Sequence, residues 1–126
     1  MKRILIIEDN EQNLYLTRFI LEKGGLEVDT AGDGRTGLDT AWSRSPDLIL
    51  LDIQLPGMDG FAVAQALRAD SRTTATPLVA LTSYIMPTDR VRVLEAGCDG
   101  MMEKPIDPRT FLDDVLVYLE NHRENA

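Results

Sequence analysis

Glu8 and Asp9, Asp52, Thr82 with Ser83, and Lys104 stand at or near the ends of short apolar runs, of which Ile4–Ile7, Leu48–Leu51 and Leu78–Leu81 are the clearest. Taken singly, most of these residues have an ordinary reading. Glu8 and Asp9 suit a solvated turn or helix start, Thr82 a strand, and Lys104 a solvated surface. Asp52 is harder to dismiss, because a carboxylate directly after Leu48-Ile49-Leu50-Leu51 is costly to bury unless a cation or hydrogen bonds meet it. Pro105 after Lys104 breaks the strand and marks a specific turn. As a set they could do chemistry. Three carboxylates within a few ångströms repel, raise one another's proton affinity and titrate together, and a hard divalent cation resolves the conflict. Mg²⁺ favours oxygen ligands, which Asp9, Asp52 and a main-chain carbonyl of the loop after Asp52 could supply. A carboxylate can also attack phosphorus to form an acyl phosphate, whose charge a lysine ammonium and a hydroxyl would meet; Lys104 and Thr82 have those groups.

Tens of residues separate these positions, so only the fold can bring them together. Strand-length apolar runs recur at Arg3–Ile7, Val28–Ala31, Asp47–Leu51, Leu78–Leu81 and Gly100–Met102, with helical spacing between most of them: a βα unit repeated five times. Ile4–Ile7 and Leu48–Leu51 are apolar at every position, as in parallel strands covered by helices on both faces. The spacing predicts a first helix over about Glu11 to Lys23, closed by Gly24-Gly25, with Leu14, Leu16, Phe19 and Ile20 as its apolar residues. Leu38, Ala41 and Trp42 mark a second helix, Phe61, Ala64 and Leu67 a third, and Val91 and Leu94 a fourth that ends near Gly97. Phe19 and Trp42 are expected in the core. The last helix carries Phe111, Leu112, Val115, Leu116 and Leu119 as one stripe, with Asp107-Pro108 as N-cap and first-turn proline, and is expected to end near Asn121. In an open parallel sheet ligands bind beyond the carboxyl ends of the strands, where the polar set lies.

Composition narrows the function classes. The chain has 126 residues, enough for one core, with 44% hydrophobic and 27% charged residues, close to an ordinary globular domain. Its longest apolar run, Val115–Leu119, is far too short for a membrane span, and the apolar stretch after Met1-Lys2-Arg3 ends in acid and does not resemble a signal peptide, so a cytoplasmic location is expected. A formal charge of −8 disfavours nucleic acid as a partner. One cysteine, Cys98, and one histidine, His122, cannot build a zinc cage; Cys98 reads as a buried small hydrophobe and His122 as a solvated helix-end residue.

In order along the chain, Ile4-Leu5-Ile6-Ile7-Glu8-Asp9-Asn10, Pro46-Asp47 to Asp59-Gly60, Pro77-Leu78-Val79-Ala80-Leu81-Thr82-Ser83, Ala96-Gly97-Cys98-Asp99-Gly100 and Lys104-Pro105-Ile106 resemble the receiver domain of two-component response regulators, over about Lys2 to Leu119. The resemblance implies a flavodoxin-like (βα)5 doubly wound five-stranded parallel sheet of order 2-1-3-4-5, with a receiver over residues 1–122 and a tail over 123–126. It implies that Asp52 takes a phosphoryl group from a phosphohistidine of a sensor kinase or phosphotransfer protein. Asp9, Asp52 and the Gln54 carbonyl then ligate Mg²⁺, with Glu8 joined through water. Thr82 matches the hydroxyl that moves to the phosphoryl group, and Lys104 its cation; the Lys104–Pro105 bond is expected to be cis. Where the family usually has Tyr or Phe, this chain has Met101. The aromatic part of the switch then falls to repacking of Met101 or to Tyr84, whose bulk, by the same resemblance, slows dephosphorylation.

The stand-alone single-domain type is the nearest match, so output is expected through a partner protein at the face of the fourth helix, fifth strand and fifth helix, including Arg90. The kinase is expected around Asn13, Leu14 and Ile106, and the protein as a monomer or weak dimer that is not a conventional enzyme. An aspartate-nucleophile phosphohydrolase shares the sheet, Mg²⁺ and acyl phosphate, but needs a second acid where Gln54 stands and a cap this chain has no room for. A flavodoxin-like cofactor binder would need a Ser/Thr/Gly-rich loop where Glu8 and Asp9 stand. A scaffold that binds without phosphorylation would have no use for the complete acidic and basic set.

Overall fold

In the computed structural model residues 1–55, 57–83 and 87–125 are described, with side chains as far as Glu120. The strands are β1 (Arg3–Ile7), β2 (Glu27–Ala31), β3 (Leu48–Asp52), β4 (Leu78–Thr82) and β5 (Gly100–Glu103). The helices are α1 (Glu11–Lys23), α2 (Gly34–Arg44), α3 (Gly60–Ala69), α4 (Pro87–Glu95) and α5 (Phe111–Asn125). All strand pairs are parallel and the order is β2-β1-β3-β4-β5, the arrangement expected from the sequence.

Side-chain alternation explains why the central strands are apolar at every position. Leu5, Ile7, Ile49, Leu51, Leu78 and Ala80 face one core, closed by Leu38, Ala41, Val63, Leu67 and Val93 from α2, α3 and α4. Ile4, Ile6, Leu48, Leu50, Val79 and Leu81 face the other, closed by Leu21, Phe111 and Val115 from α1 and α5. Register sets Ile7 beside both Ala31 and Leu51, and Asp52 beside Leu81, so the carboxyl ends of β1, β3 and β4 finish close together.

Local chemistry fixes the helix starts. The Asn10 side chain accepts from the Asn13 amide at 2.9 Å to cap α1, and Asp33 and Asp59 cap α2 and α3 in the same manner. Gly25, rather than Gly24, takes the left-handed conformation after α1, with φ +91°. Gly60 opens α3 against the turn after β3, where a Cβ would lie 2.5 Å from the Ile53 Cα; only glycine allows that approach.

Several sequence expectations shift. Asp52 and Thr82 close β3 and β4, one residue past the apolar runs, and β3 starts at Leu48 rather than Asp47. Phe19 is 53% exposed, not core; it stacks on Tyr15 with Lys23 over its ring. The inward face of α1 contains Leu14, Thr17 and Leu21, because the Thr17 hydroxyl satisfies itself on the Asn13 carbonyl at 2.7 Å and can be buried. On α4, Val93 is buried while Val91 and Leu94 are exposed. The last helix begins at Phe111, after a turn in which the Asp107 carboxylate accepts from the Arg109 amide, and it extends to Asn125 with no glycine or proline to stop it. Trp42 packs half-buried against the first core, with the Arg72 guanidinium 4.8 Å from its ring centroid. Cys98 is buried, and burial pushes its thiol up to about 11, the state of an unreactive side chain.

Candidate functional site

Alternation along the strands aims the site. Continued beyond Ile6, Leu50 and Met102, it sends Glu8, Asp52 and Lys104 to the side shared with α1 and α5, whereas Thr82 continues the parity of Leu78 and Ala80 toward the opposite core. The side chains agree. Lys104 Nζ lies 2.9 Å from Glu8 Oε1 and 3.1 Å from Asp52 Oδ2, joining residues from β1, β3 and the end of β5. Glu8 and Asp52 are buried, Asp9 is exposed, and carboxylate oxygens of the three lie within 4.8 Å of one another.

Asp52 is held on both oxygens: Oδ1 accepts from the Gln54 amide at 2.9 Å and Oδ2 from Lys104. The Lys104 amide donates to the Thr82 carbonyl at 2.8 Å, fixing the root of the lysine beside the end of β4. The Lys104–Pro105 bond is cis, as expected. Thr82 is buried at the mouth, and Gln54 is exposed in the turn that follows Asp52.

Glu8 is the unusual member. Its Oε1 accepts from both Lys104 and Asn13 Nδ2, the latter at 2.8 Å, while its Oε2 is buried with no hydrogen-bond partner among the described residues. Burial first, and the neighbouring Asp52 second, push its carboxyl up to about 7, against the opposing pull of Lys104 and Asn13. For Lys104, burial works against the charged form, but hydrogen bonds to Glu8 and Asp52 outweigh it and raise its proton affinity. One cation thus serves a buried pair of carboxylates, with a third carboxylate alongside. An all-oxygen donor set with excess negative charge and an unpartnered buried carboxylate oxygen fits a hard divalent cation such as Mg²⁺.

The remaining candidate residues separate. Asn13 and Ile106, expected at a docking surface, line a small cavity beside Glu8, Thr17 and Lys104. Leu14 and Ile106 pack against the second core, while Tyr15, Leu16 and Phe19 form the exposed apolar side of α1. Arg90 is exposed on α4. Met101 lies beside Ala80 in the β4–β5 register and packs against the first core. Tyr84 lies outside the described residues, as does the side chain of His122. The hydrogen bond from Asn13 to Glu8 was not anticipated, although the spacing contains a signal: Asn13 is the third residue after its own cap, Asn10, so its side chain sits at the helix mouth beside Glu8.

Comparison with known proteins gives consistent results. The response regulator receiver domain family matches residues 4–116. The polar-differentiation response regulator DivK of Brucella anthropi is 37% identical over 118 residues, covering 94% of this chain and 96% of the relative. A CheY-like response regulator receiver domain protein from Methanospirillum hungatei superposes with a TM-score of 0.91 at 30% identity, over 100% of this chain and 99% of the other. The receiver domain of a sensor histidine kinase from Pseudomonas aeruginosa, which has a magnesium ion coordinated in its active-site cleft, superposes with a TM-score of 0.86 at 28% identity, covering 94% of this chain and 98% of that one.

Proposed function

The chain belongs to the response regulator receiver domain family, and from that premise we propose that it accepts a phosphoryl group on Asp52 from a phosphohistidine of a histidine kinase or histidine phosphotransfer protein and relays the change to a partner protein. Its role is that of a self-modifying phosphoacceptor in a phosphorelay rather than of an enzyme acting on a separate substrate.

The observation that carries this reading is Asp52 itself: a buried carboxylate at a strand end, ion-paired to Lys104 and set among two further acids with too few cations to balance them. The Asp52 carboxylate attacks phosphorus, an O–P bond forms as the P–N bond to the donor imidazole breaks, and the imidazole nitrogen keeps the electron pair. Asp9, Asp52 and the Gln54 main-chain carbonyl would hold Mg²⁺ directly and Glu8 through water. When bound, the ion offsets charge on the carboxylates and phosphoryl oxygens. The Gln54 amide holds Asp52 Oδ1 and orients the carboxylate. Conversion of Asp52 to an acyl phosphate removes a carboxylate charge, so Lys104 follows the negative charge to the phosphoryl oxygens and the Thr82 hydroxyl donates to them.

Thr82 has the strand parity of the α2–α4 side, so its movement carries the signal from the acid cluster to the opposite core, where Met101 packs. Repacking of either Met101 or Tyr84 stands in for the family's aromatic switch, and the output surface spans α4, β5 and α5, including Arg90. Donor proteins dock over the mouth, against α1 near Asn13 and Leu14 and the turn at Ile106.

The test is intact-protein mass after incubation with a small acyl-phosphate donor, with and without Mg²⁺. A single phosphoryl adduct that needs Mg²⁺ and is lost in Asp52→Asn supports the reading. No adduct, together with no beryllofluoride complex, overturns it.

A further inference from the structure

A cleft of about 570 Å³ lies away from the acid cluster, between β5 and the first turns of α5. We propose that this cleft seats a partner segment that combines an apolar anchor with lysine or arginine side chains. This rests on the reading of β5 and α5 as part of the output surface; what it adds is the chemistry of the occupant.

β5 is an edge strand, paired only with β4, so one row of its main-chain groups meets no other strand. Apolar side chains line part of the cleft beside that edge: Met101, Met102 and Phe111, and Val117, itself 51% exposed, from α5. Tyr118 lies across Gly100, where any Cβ would collide with its ring and hydroxyl, so the absence of a side chain at Gly100 leaves room for the tyrosine against the strand. Methionine is flexible and polarisable, which suits a surface that must mould itself to an inserted side chain.

The charge on the lining has one sign. Glu103, Asp107 and Asp114 border the cleft, and among the described residues no lysine or arginine does. Asp107 is neutralised by Arg109, whose guanidinium donates to both of its carboxylate oxygens at 3.1 Å. Glu103 and Asp114 have no ion-pair partner among the described residues, in contrast to the paired acids elsewhere on the chain. Lys104, adjacent in sequence, is directed to Glu8 and Asp52 and does not offset them. An occupant with acidic flanks would be repelled, while one with basic flanks gains two complementary contacts around an apolar anchor. The volume is that of a site for a few side chains, not for a folded domain.

The obvious rival is nonspecific attraction of any cation to a chain of charge −8. The test therefore uses two short labelled peptides with the same leucine and phenylalanine anchors, interleaved with lysine in one and glutamate in the other. Their binding to the full chain is measured by fluorescence anisotropy at physiological ionic strength, with and without beryllofluoride and Mg²⁺. The lysine peptide is expected to bind at least about tenfold tighter than its glutamate counterpart. Glu103→Lys with Asp114→Lys should abolish that preference, and Val117→Asp should weaken binding of the lysine peptide. Glu27→Lys with Asp39→Lys, an equal change of charge near the opposite edge of the sheet, should leave the preference within about threefold. Equal losses from the two double variants, or equal binding of the two peptides, would overturn the proposal. A preference that survives in both states but does not respond to beryllofluoride would instead count against phosphorylation-dependent output while leaving the cleft's chemistry in place.

Discussion

The two ends of the sheet treat charge in opposite ways. At the amino end, Arg3 pairs with Glu27 at 2.7 Å and Asp29 at 3.1 Å, its amide donates to Asp47, and Arg44 adds a second guanidinium on Asp29. Toward the same end, Arg68 ties together four carbonyls, of Thr73, Thr74, Thr76 and Gly97, and the Asp99 carboxylate. At the carboxyl end, two buried carboxylates share one lysine, a third carboxylate stands beside them, and a buried oxygen of Glu8 has no hydrogen bond among the described residues. Charges that hold the fold together are matched within the chain. Those of the proposed phosphoacceptor site are left mismatched, so that a bound cation would complete them.

The largest expected effect comes from removing Lys104, the cation that Glu8 and Asp52 share. In the absence of Mg²⁺, Lys104→Ala should lower stability by about 3 kcal/mol in urea unfolding, since two buried carboxylates lose their shared partner, and added Mg²⁺ should recover part of the loss. An unchanged midpoint would mean that Lys104 does not balance the buried acids and that the contrast is overstated.

Arg68→Ala attacks the matched end. It should cost about 2 kcal/mol, the scale of hydrogen bonds from a charged donor to half-buried carbonyls, while the phosphoryl adduct on Asp52 still forms. Loss of the adduct in a protein that remains folded would show that the two ends are coupled.

Glu8→Gln sharpens the contrast in the other direction. Without Mg²⁺ it should raise stability by about 1 kcal/mol, because the amide removes a like charge beside Asp52. By titration calorimetry it should weaken Mg²⁺ binding by about tenfold. A variant destabilised in Mg²⁺-free buffer would contradict the mismatch.

The pH dependence follows from the same residue. Glu8 holds its proton more tightly in the fold, to about 7, than at its ordinary 4.5, so its contribution to stability is full below the ordinary value and is lost as pH rises through about 7. Mg²⁺-free wild type should therefore lose stability relative to Glu8→Gln as pH rises over that window, and Mg²⁺ affinity should rise with pH across it. Parallel thermal unfolding curves for the two proteins would contradict the assignment. The smallest effect belongs to a matched pair in solvent: Arg109→Ala at the exposed Asp107 should leave the urea midpoint unchanged within the scatter of repeat measurements.

Much of this contrast was legible beforehand. Strands apolar at every position could only be sandwiched between helices, and that alone places Glu8, Asp52, Thr82 and Lys104 at one end of the sheet. The helix faces were less legible, for a definite reason. On α1 two apolar stripes overlap, and the choice between them depended on Thr17, whose hydroxyl bonds within the helix and lets a nominally polar residue join the core. Phe19 was left outside as a result. α4 repeats the difficulty, with Val93 inward and Val91 and Leu94 outward. The bond from Asn13 to Glu8 depends on a helix cap fixing a side-chain direction, which apolar spacing does not record.

The alternation that sends Glu8, Asp52 and Lys104 to one side of the sheet and Thr82 to the other also bears on how such a chain can evolve. Substitution along β3 or β4 changes packing but keeps each terminal residue on its side. Deleting or inserting a single strand residue reverses the parity of everything beyond it, turning Asp52 away from Lys104 or Thr82 toward the wrong core. Strand length in this molecule therefore works as a reading frame for the site: loops and surfaces can drift and lengthen, while each strand is confined to changes that preserve its count.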